Sequence, residues 1–312
     1  MLRSALLYLS DQPKVFSFVR HNRMAKSLAT RFVAGETLDM ALEAVSRLNA
    51  KGITASLDLL GESVHNEAEA RESARQYINI LDRIKESRLD ANVSVKLTAM
   101  GLDVGEELCI ANMQNILDRA RAYETFVRID MEGSEYTQRT LDIFYDRLFP
   151  SYRGNVGIVV QSYLYRTFSD IEYANAAAAR VRLCKGAYKE PATVAYPDKE
   201  DVDESYLRGM RELLVNGHYP GIATHDERIV RETCRFARDN QIAPDSFEFQ
   251  MLYGVRRDLQ EKLVREGHRM RVYVPFGTQW YPYLMRRLAE RPSNVAFLAG
   301  NVLKELVSRD RG

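Results

Sequence analysis

Two adjacent arginines, Arg286 and Arg287, lie in a helical stretch where Tyr283, Arg286, Arg287 and Glu290 are spaced to share one face. The stretch follows an apolar run, Arg271–Pro275, with alternating Val272 and Val274 and a break at Pro275 and Gly277. Two guanidinium groups beside an aromatic ring, just past the end of a strand, suit a clamp for a small anion. By default such a pair is a solvated basic face, so the rest of the chain has to distinguish the two. Other polar residues recur at the ends of apolar runs: Glu62, Lys96, Asp130, Gln161, Arg182 with Lys185, Thr224 with His225, Gln250 and Tyr273. Lys96, Arg182, Lys185, Arg286 and Arg287 concentrate positive charge, with Asp130 and Glu62 as the obvious partners. Brought together, they would form a mouth for a carboxylate, a phosphate or both. A lysine's pKa falls in a basic mouth, so Lys96 or Lys185 could instead form a Schiff base, which makes a lyase or aldolase the rival reading.

The elements that would bring them together are legible from periodicity. Eight short apolar runs, at 53–60, 92–97, 125–131, 155–161, 180–186, 221–224, 246–252 and 270–276, alternate with helical patterns at a repeat of roughly 25–40 residues, about one β/α unit. A doubly wound sheet would carry a glycine-rich phosphate loop after its first strand. Here that position reads DLLGESVHNEAEA, with one glycine. An α/β fold of the (β/α)8 TIM barrel type is therefore expected, with a helix after strand 8 covering the mouth. Residues 1–50 read as an N-terminal helical arm, in which Thr37 caps an amphipathic run that stops at Gly52. Residues 51–312 read as a single catalytic barrel domain. Active sites of such barrels sit at the carboxyl ends of the strands, which is where the polar residues above fall.

Composition excludes several functions. Lys+Arg total 44 against 43 Asp+Glu, a net charge of +1, so no basic excess argues for nucleic acid. Cys109, Cys184 and Cys234 are odd in number and widely spaced, as expected of reduced thiols in a cytoplasmic protein. The five histidines include no HxH or HExxH, so no metal site is expected, and G-x-S-x-G is absent. No apolar run approaches the roughly 20 residues needed to span a bilayer, and the run before Asp11 is short for a signal peptide. Several residues keep a structural alternative: Lys96 as an ion-pair partner of Asp130, His225 as a satisfied buried imidazole, and 163–168 as barrel-rim packing. A C-terminal stripe of Val295, Leu298, Val302 and Leu306 suits packing on the barrel, a membrane surface or a partner.

Blocks along most of the chain resemble proline dehydrogenase. They are DLLGE (58–62), SVKLTAMGLD (94–103), FVRIDME (126–132), QSYLYRT (161–167), RLCKGAYKEP (182–191), ATHDERIV (223–230), FEFQMLYGVR (247–256) and VYVPFGTQWYPYLMRRLAERPSN (272–294). The similarity is to the short monofunctional bacterial enzymes and runs from about residue 31 to 300. It implies a distorted barrel that binds FAD noncovalently, oxidises L-proline to Δ1-pyrroline-5-carboxylate and passes electrons to a membrane quinone. It implies too that a separate pyrroline-5-carboxylate dehydrogenase completes the oxidation to glutamate, and that the protein meets the membrane peripherally. Carried over by residue, Arg286, Arg287 and Lys96 would bind the proline carboxylate. Tyr273, Tyr283, Tyr188 and Leu252 would wall the ring. Asp130 and Arg182 would form the catalytic pair. Met131, Gln161, Arg182, Lys185, Gly186, Ala187, Thr224, His225 and Gln250 would line FAD, and Glu62 would pair with Arg286 as a gate. Two positions depart from the pattern: Asp226 stands where Asn is expected, and Cys184 where Val is usual.

Overall fold

Alternation along each strand decides what the sheet presents to either side. In β1 (Thr54–Leu59), β2 (Ala91–Val95), β3 (Val127–Ile129) and β4 (Val156–Gln161), one set of side chains is uniformly apolar. The same holds for β5 (Arg180–Cys184), β6 (Gly221–Ala223), β7 (Glu248–Leu252) and β8 (Met270–Phe276). That set includes Leu57, Val93, Val127, Ile158, Leu183, Ile222, Phe249 and Val272, all inside the main core. In the computed structural model, which describes residues 30–61 and 64–290, the eight strands form a closed parallel barrel in chain order. The register of β1 with β8, from Thr54↔Arg271 to Leu59↔Phe276, closes it. Each of the eight apolar runs has become one strand.

Helices pack around the sheet. They are α1 (Leu38–Asn49), α2 (Glu67–Glu86), α3 (Glu106–Ala122), α4 (Ser134–Asp142) and α5 (Thr167–Ala176). The chain continues with α6 (Lys199–Asn216), α7 (Glu227–Asp239), α8 (Arg257–Arg265) and α9 (Trp280–Glu290). Their starts follow local chemistry. Thr37 accepts from Met40 N to open α1. At α2, Asn66 accepts from Glu69 N at 2.9 Å while Glu69 accepts from His65 N at 2.8 Å, a reciprocal cap.

Two placements shape the carboxyl-terminal mouth. α1 packs against β1 and β8, and its last turn reaches the amino ends of the strands, where Asn49 bonds Ile53 O and Asp90. The segment before it lies at the opposite end, with Ala34 N donating to Pro275 O and Gly277 N to Gly35 O, each at 2.9 Å. The described part of the expected arm thus runs down the barrel wall between β8 and β1. α9 packs elsewhere: Trp280, Tyr281, Tyr283, Leu284 and Met285 form a separate apolar cluster with Phe32, Val33, Leu60 and Val255, at the carboxyl ends of β1, β7 and β8. This agrees with a covering helix after strand 8. Residues 1–29 of the arm, Glu62 and the C-terminal stripe lie outside the described residues.

The covering helix depends on close backbone approach. Gly254, at φ +73°, faces the Arg31 carbonyl so closely that a Cβ there would overlap it. Gly254→Ala is therefore expected to cost about 1–3 kcal/mol and to loosen residues 31–33 from α9. Trp280, the chain's one tryptophan and 2% exposed, reports this directly. A lower urea midpoint and red-shifted emission are expected; an unchanged midpoint and emission would show that the segment is not held there.

Candidate active site

The inward sets of β1, β2, β3, β5, β7 and β8 carry polar residues, and several of these side chains meet across the barrel. Arg182 on β5 is the hub. Its Nη1 donates to Asp130 Oδ1 at 2.7 Å, Nη2 to Ser94 Oγ at 3.1 Å and Nε to Gln250 Oε1 at 2.5 Å. Asp130, one residue past β3, accepts on its other oxygen from the Tyr273 hydroxyl at 2.8 Å. Burial, then the Asp130 charge, holds the Tyr273 phenol far above its usual range, so it stays a neutral donor. The Asp130–Arg182 side chains are 12% and 8% exposed. Both carboxylate oxygens are used, whereas two of the five guanidinium N–H donors have no acceptor among the described residues. Tyr273, expected at a strand end, sits mid-β8, with its ring under the Arg182 guanidinium at 5.4 Å.

Behind Gln250 the chain of bonds continues. Gln250 Nε2 donates to Glu248 Oε1 at 2.6 Å, and Arg271 Nε donates to the same oxygen at 2.8 Å. Glu248 thereby fixes which face of the Gln250 amide meets Arg182. Burial opposes its ionisation, but Arg271 keeps its carboxyl below the usual range.

Lys96, one residue past β2, pairs with Asp58 of β1 at 3.1 Å rather than with Asp130, the partner that ion-pair reasoning suggested. The Tyr77 hydroxyl from α2 also reaches Asp58, at 3.5 Å. Burial pushes the Asp58 carboxyl up, with the Lys96 ammonium working against it. Asp58 was missed in the sequence. Its signal was there: Thr54, Ser56 and Asp58 occupy alternate, inward positions of an otherwise apolar run.

At the rim, Gln161 ends β4 and donates to Met131 O at 3.3 Å, while its Oε1 is buried with no hydrogen-bond partner. Lys185 forms ion pairs with Asp203 at 2.5 Å and with Asp226 at 3.1 Å, the latter also a hydrogen bond. Burial raises both carboxyls, but the bonds and charge of Lys185 hold them below the usual range. Asp226 also accepts from Arg228 N and so caps α7, which gives the departing residue two local uses. His225 Nε2 accepts from Leu252 N at 2.9 Å, a backbone-holding role. Thr224 Oγ1 accepts from Asp226 N at 3.1 Å. Gly186 has φ +109°, and a Cβ there would meet the Tyr163 ring, so packing by Tyr163 is a local reason for glycine. Cys184 donates to Val160 O at 3.5 Å, and burial raises its thiol to about 11 despite Arg182 and Arg287. Ala187 and Tyr188 follow on the loop after β5, half-buried.

From above, α9 contributes Tyr283, which is buried, and half-buried Arg286 and Arg287. Arg287 stacks on the Tyr283 ring at 5.3 Å, and Leu252 packs against the same cluster. The structure thus gathers Lys96, Asp130, Gln161, Arg182, Gln250 and Tyr273 on the barrel axis and rim, and sets the arginine pair on the helix over β1, β7 and β8. The rival lysine chemistry loses ground: Lys96 and Lys185 are both engaged in ion pairs, the first with Asp58 and the second with Asp203 and Asp226.

A family model described as proline dehydrogenase matches residues 41–300. The chain belongs to the proline dehydrogenase family of enzymes. It is 41% identical to proline dehydrogenase 1 of Bacillus subtilis subsp. natto, over 98% of this chain and 100% of that one. It is 42% identical to the proline dehydrogenase of Deinococcus radiodurans, covering 97% and 98%. Among solved structures, proline utilization A from Bdellovibrio bacteriovorus, inactivated by N-propargylglycine, superposes with a TM-score of 0.80 at 27% identity. That match covers 89% of this chain, which spans 34% of the larger protein. The similarity to monofunctional bacterial relatives and the barrel architecture therefore both stand.

Removing Lys96 tests the electrostatics of this proline dehydrogenase family site. Asp58 has a raised pKa, so its contribution to stability is full below its ordinary value of 3.8 and is lost as pH rises through the folded value. Lys96→Met raises the folded value further and leaves a buried carboxylate unpaired, at a cost of about 3–5 kcal/mol near neutrality. Thermal midpoints should fall well below the parent at pH 7 and converge with it near pH 4. A deficit independent of pH would contradict the pairing.

Proposed function

We propose that this chain oxidises L-proline to Δ1-pyrroline-5-carboxylate with noncovalently bound FAD and delivers the electrons to a membrane quinone. The observation that carries the reading is the fixed Arg182 guanidinium, held from three sides by Asp130, Gln250 and Ser94 with donors left for a ligand. The residues also fit a flavin. The orphaned Gln161 Oε1 is an acceptor for a ring N–H, and the unused Arg182 donors suit an electron-rich ring edge. Met131, Lys185, Gly186, Ala187, Thr224, His225 and Gln250 complete the proposed lining. When bound, FAD supplies the two-electron acceptor for hydride from the proline ring.

The protein's own part is recognition and electrostatics. Proline is a small zwitterion, so its carboxylate calls for planar donors and its methylenes for apolar walls. Arg286 and Arg287 would take the carboxylate with Lys96, which is braced by Asp58. Tyr273, Tyr283, Tyr188 and Leu252 would wall the ring. Oxidation requires the secondary amine in its neutral form, and the positive groups around it lower the ammonium's pKa. Arg182, with its charge held in place by Asp130, would oppose build-up of negative charge at the acceptor. Asp130 is then a positioning carboxylate, because both of its oxygens are engaged. The pairing of Glu62 with Arg286 as a gate belongs to the same proposal. So do the division into an arm at 1–50 and a catalytic domain at 51–312, peripheral contact with the inner face of the membrane, and a separate dehydrogenase acting on the product. No helix among the described residues is long and apolar enough to cross a membrane.

Purified protein should show a flavin spectrum that L-proline bleaches under anaerobic conditions; a colourless protein that takes up no FAD would falsify the reading. Arg286→Lys and Arg287→Lys keep the charge but lose the planar fork. Each should raise KM for proline roughly 10- to 100-fold, the equivalent of about 1.5–3 kcal/mol for a charge-assisted hydrogen bond. Parental KM values in both would remove the arginine pair from the substrate site.

A further inference from the structure

A second cluster of arginines lies at the opposite end of the barrel. An open cavity of about 740 Å³ sits at the amino ends of the strands, lined among others by Thr54, Arg180, Tyr219, Glu248, Arg269 and Arg271. Arg128 of β3 lies behind it and is 3% exposed. Buried guanidinium groups are ordinarily matched by carboxylates. Here Arg271 has Glu248 at 2.8 Å, but Arg128, Arg180 and Arg269 have no carboxylate within ion-pair distance among the described residues. Asp90 also lines the cavity and acts on Arg271 through space. Asp245 acts on Arg269 in the same way, so four guanidinium groups face three carboxylates, of which only Glu248 is in direct contact with one of them.

What these arginines do have is aromatic and backbone company. Arg180 lies 4.4 Å from the Phe126 ring centroid and 4.5 Å from that of Tyr219, and Arg269 approaches Tyr219 from 5.5 Å. Among the described residues Arg128 donates only from Nη1, to Ile158 O and Arg180 O. Arg180 Nε is buried with no acceptor at all. Gly157 keeps this crowding possible, since a Cβ there would strike the Arg180 carbonyl and Arg128 Nη1. Burial, then repulsion from Arg182 and Arg180, drives Arg128 well below the ordinary arginine range. Tyr219, which carries the stack, is held at φ +50°, a conformation a bulky side chain rarely adopts.

We propose that this amino-terminal cavity binds a small multivalent oxyanion, a phosphate or a dicarboxylate, through Arg180, Arg269 and Arg271. Such a ligand supplies the negative charge that the cluster lacks. Its site is separate from the proposed proline site, because the Glu248–Gln250–Arg182 bonds fill the axis between them.

Calorimetric titration of the purified full chain with inorganic phosphate and with malonate, at ionic strength held constant by chloride, tests this. One saturable site per chain is expected for at least one of the two, with Kd below about 1 mM. Phosphate alone would identify a phosphoryl ligand, and malonate alone a dicarboxylate; either supports the site. Arg180→Gln should abolish that binding, and Arg269→Gln should weaken it at least tenfold while leaving proline turnover unchanged. Arg269 is exposed, so its variant decides the matter even if Arg180→Gln does not fold. No saturable binding of either anion, or affinities unaffected by the substitutions, would overturn the proposal.

Discussion

The Asp130–Arg182 ion pair is the interaction on which the barrel interior depends. It lies almost out of solvent on the axis, and taking two charges out of water is costly unless each is fully satisfied. The satisfaction comes from Ser94, Gln250 and Tyr273, so β2, β3, β5, β7 and β8 are joined through one guanidinium and one carboxylate. Removing Arg182 would strand the Asp130 charge and release Ser94 and Gln250, and removing Asp130 would strand the Arg182 charge and release Tyr273. The same bonds fix the orientation of the Arg182 guanidinium from three sides.

This barrel spends its interior on polarity. Many β/α barrels fill that space with Val, Ile and Leu. Here the apolar layer lies between sheet and helices, and the lumen carries Ser56, Asp58, Ser94, Arg128, Asp130, Arg182, Glu248, Gln250 and Arg271. Stability then rests on the outer layer, and the lumen is left to electrostatics. Lys96 illustrates the consequence. Its ion pair with Asp58 holds the Lys96 side chain in one place at the mouth.

The covering helix is a second consequence of an unusual allocation. α1 lies on the wall between β8 and β1, and α9 turns over the carboxyl ends instead. Phe32, Val33 and the bond from Trp280 Nε1 to Glu36 at 3.1 Å hold it there. The segment preceding the barrel thereby supports the helix that follows it, which sets the arginine pair over the mouth.

Much of this was readable in advance. Strand count, strand limits and barrel class follow from short apolar runs of period two, because alternation reflects the two faces of a sheet whatever the partner strands are. Arg286 with Arg287 on a helix after the last strand was legible for the same reason, whereas Arg182, Gln250 and Tyr273, expected at strand ends, sit mid-strand and point into the barrel. Partner choice was not. Lys96 with Asp58 instead of Asp130, Lys185 with Asp203 and Asp226, and the Glu248–Gln250–Arg182 relay join residues up to 68 positions apart, or depend on which amide face is presented. Pairing of this kind depends on the register and closure of the barrel, which no local pattern encodes. The sequence alone determined which residues could carry charge to the mouth; the closed barrel decided which of them neutralise one another and which keep a donor for a ligand.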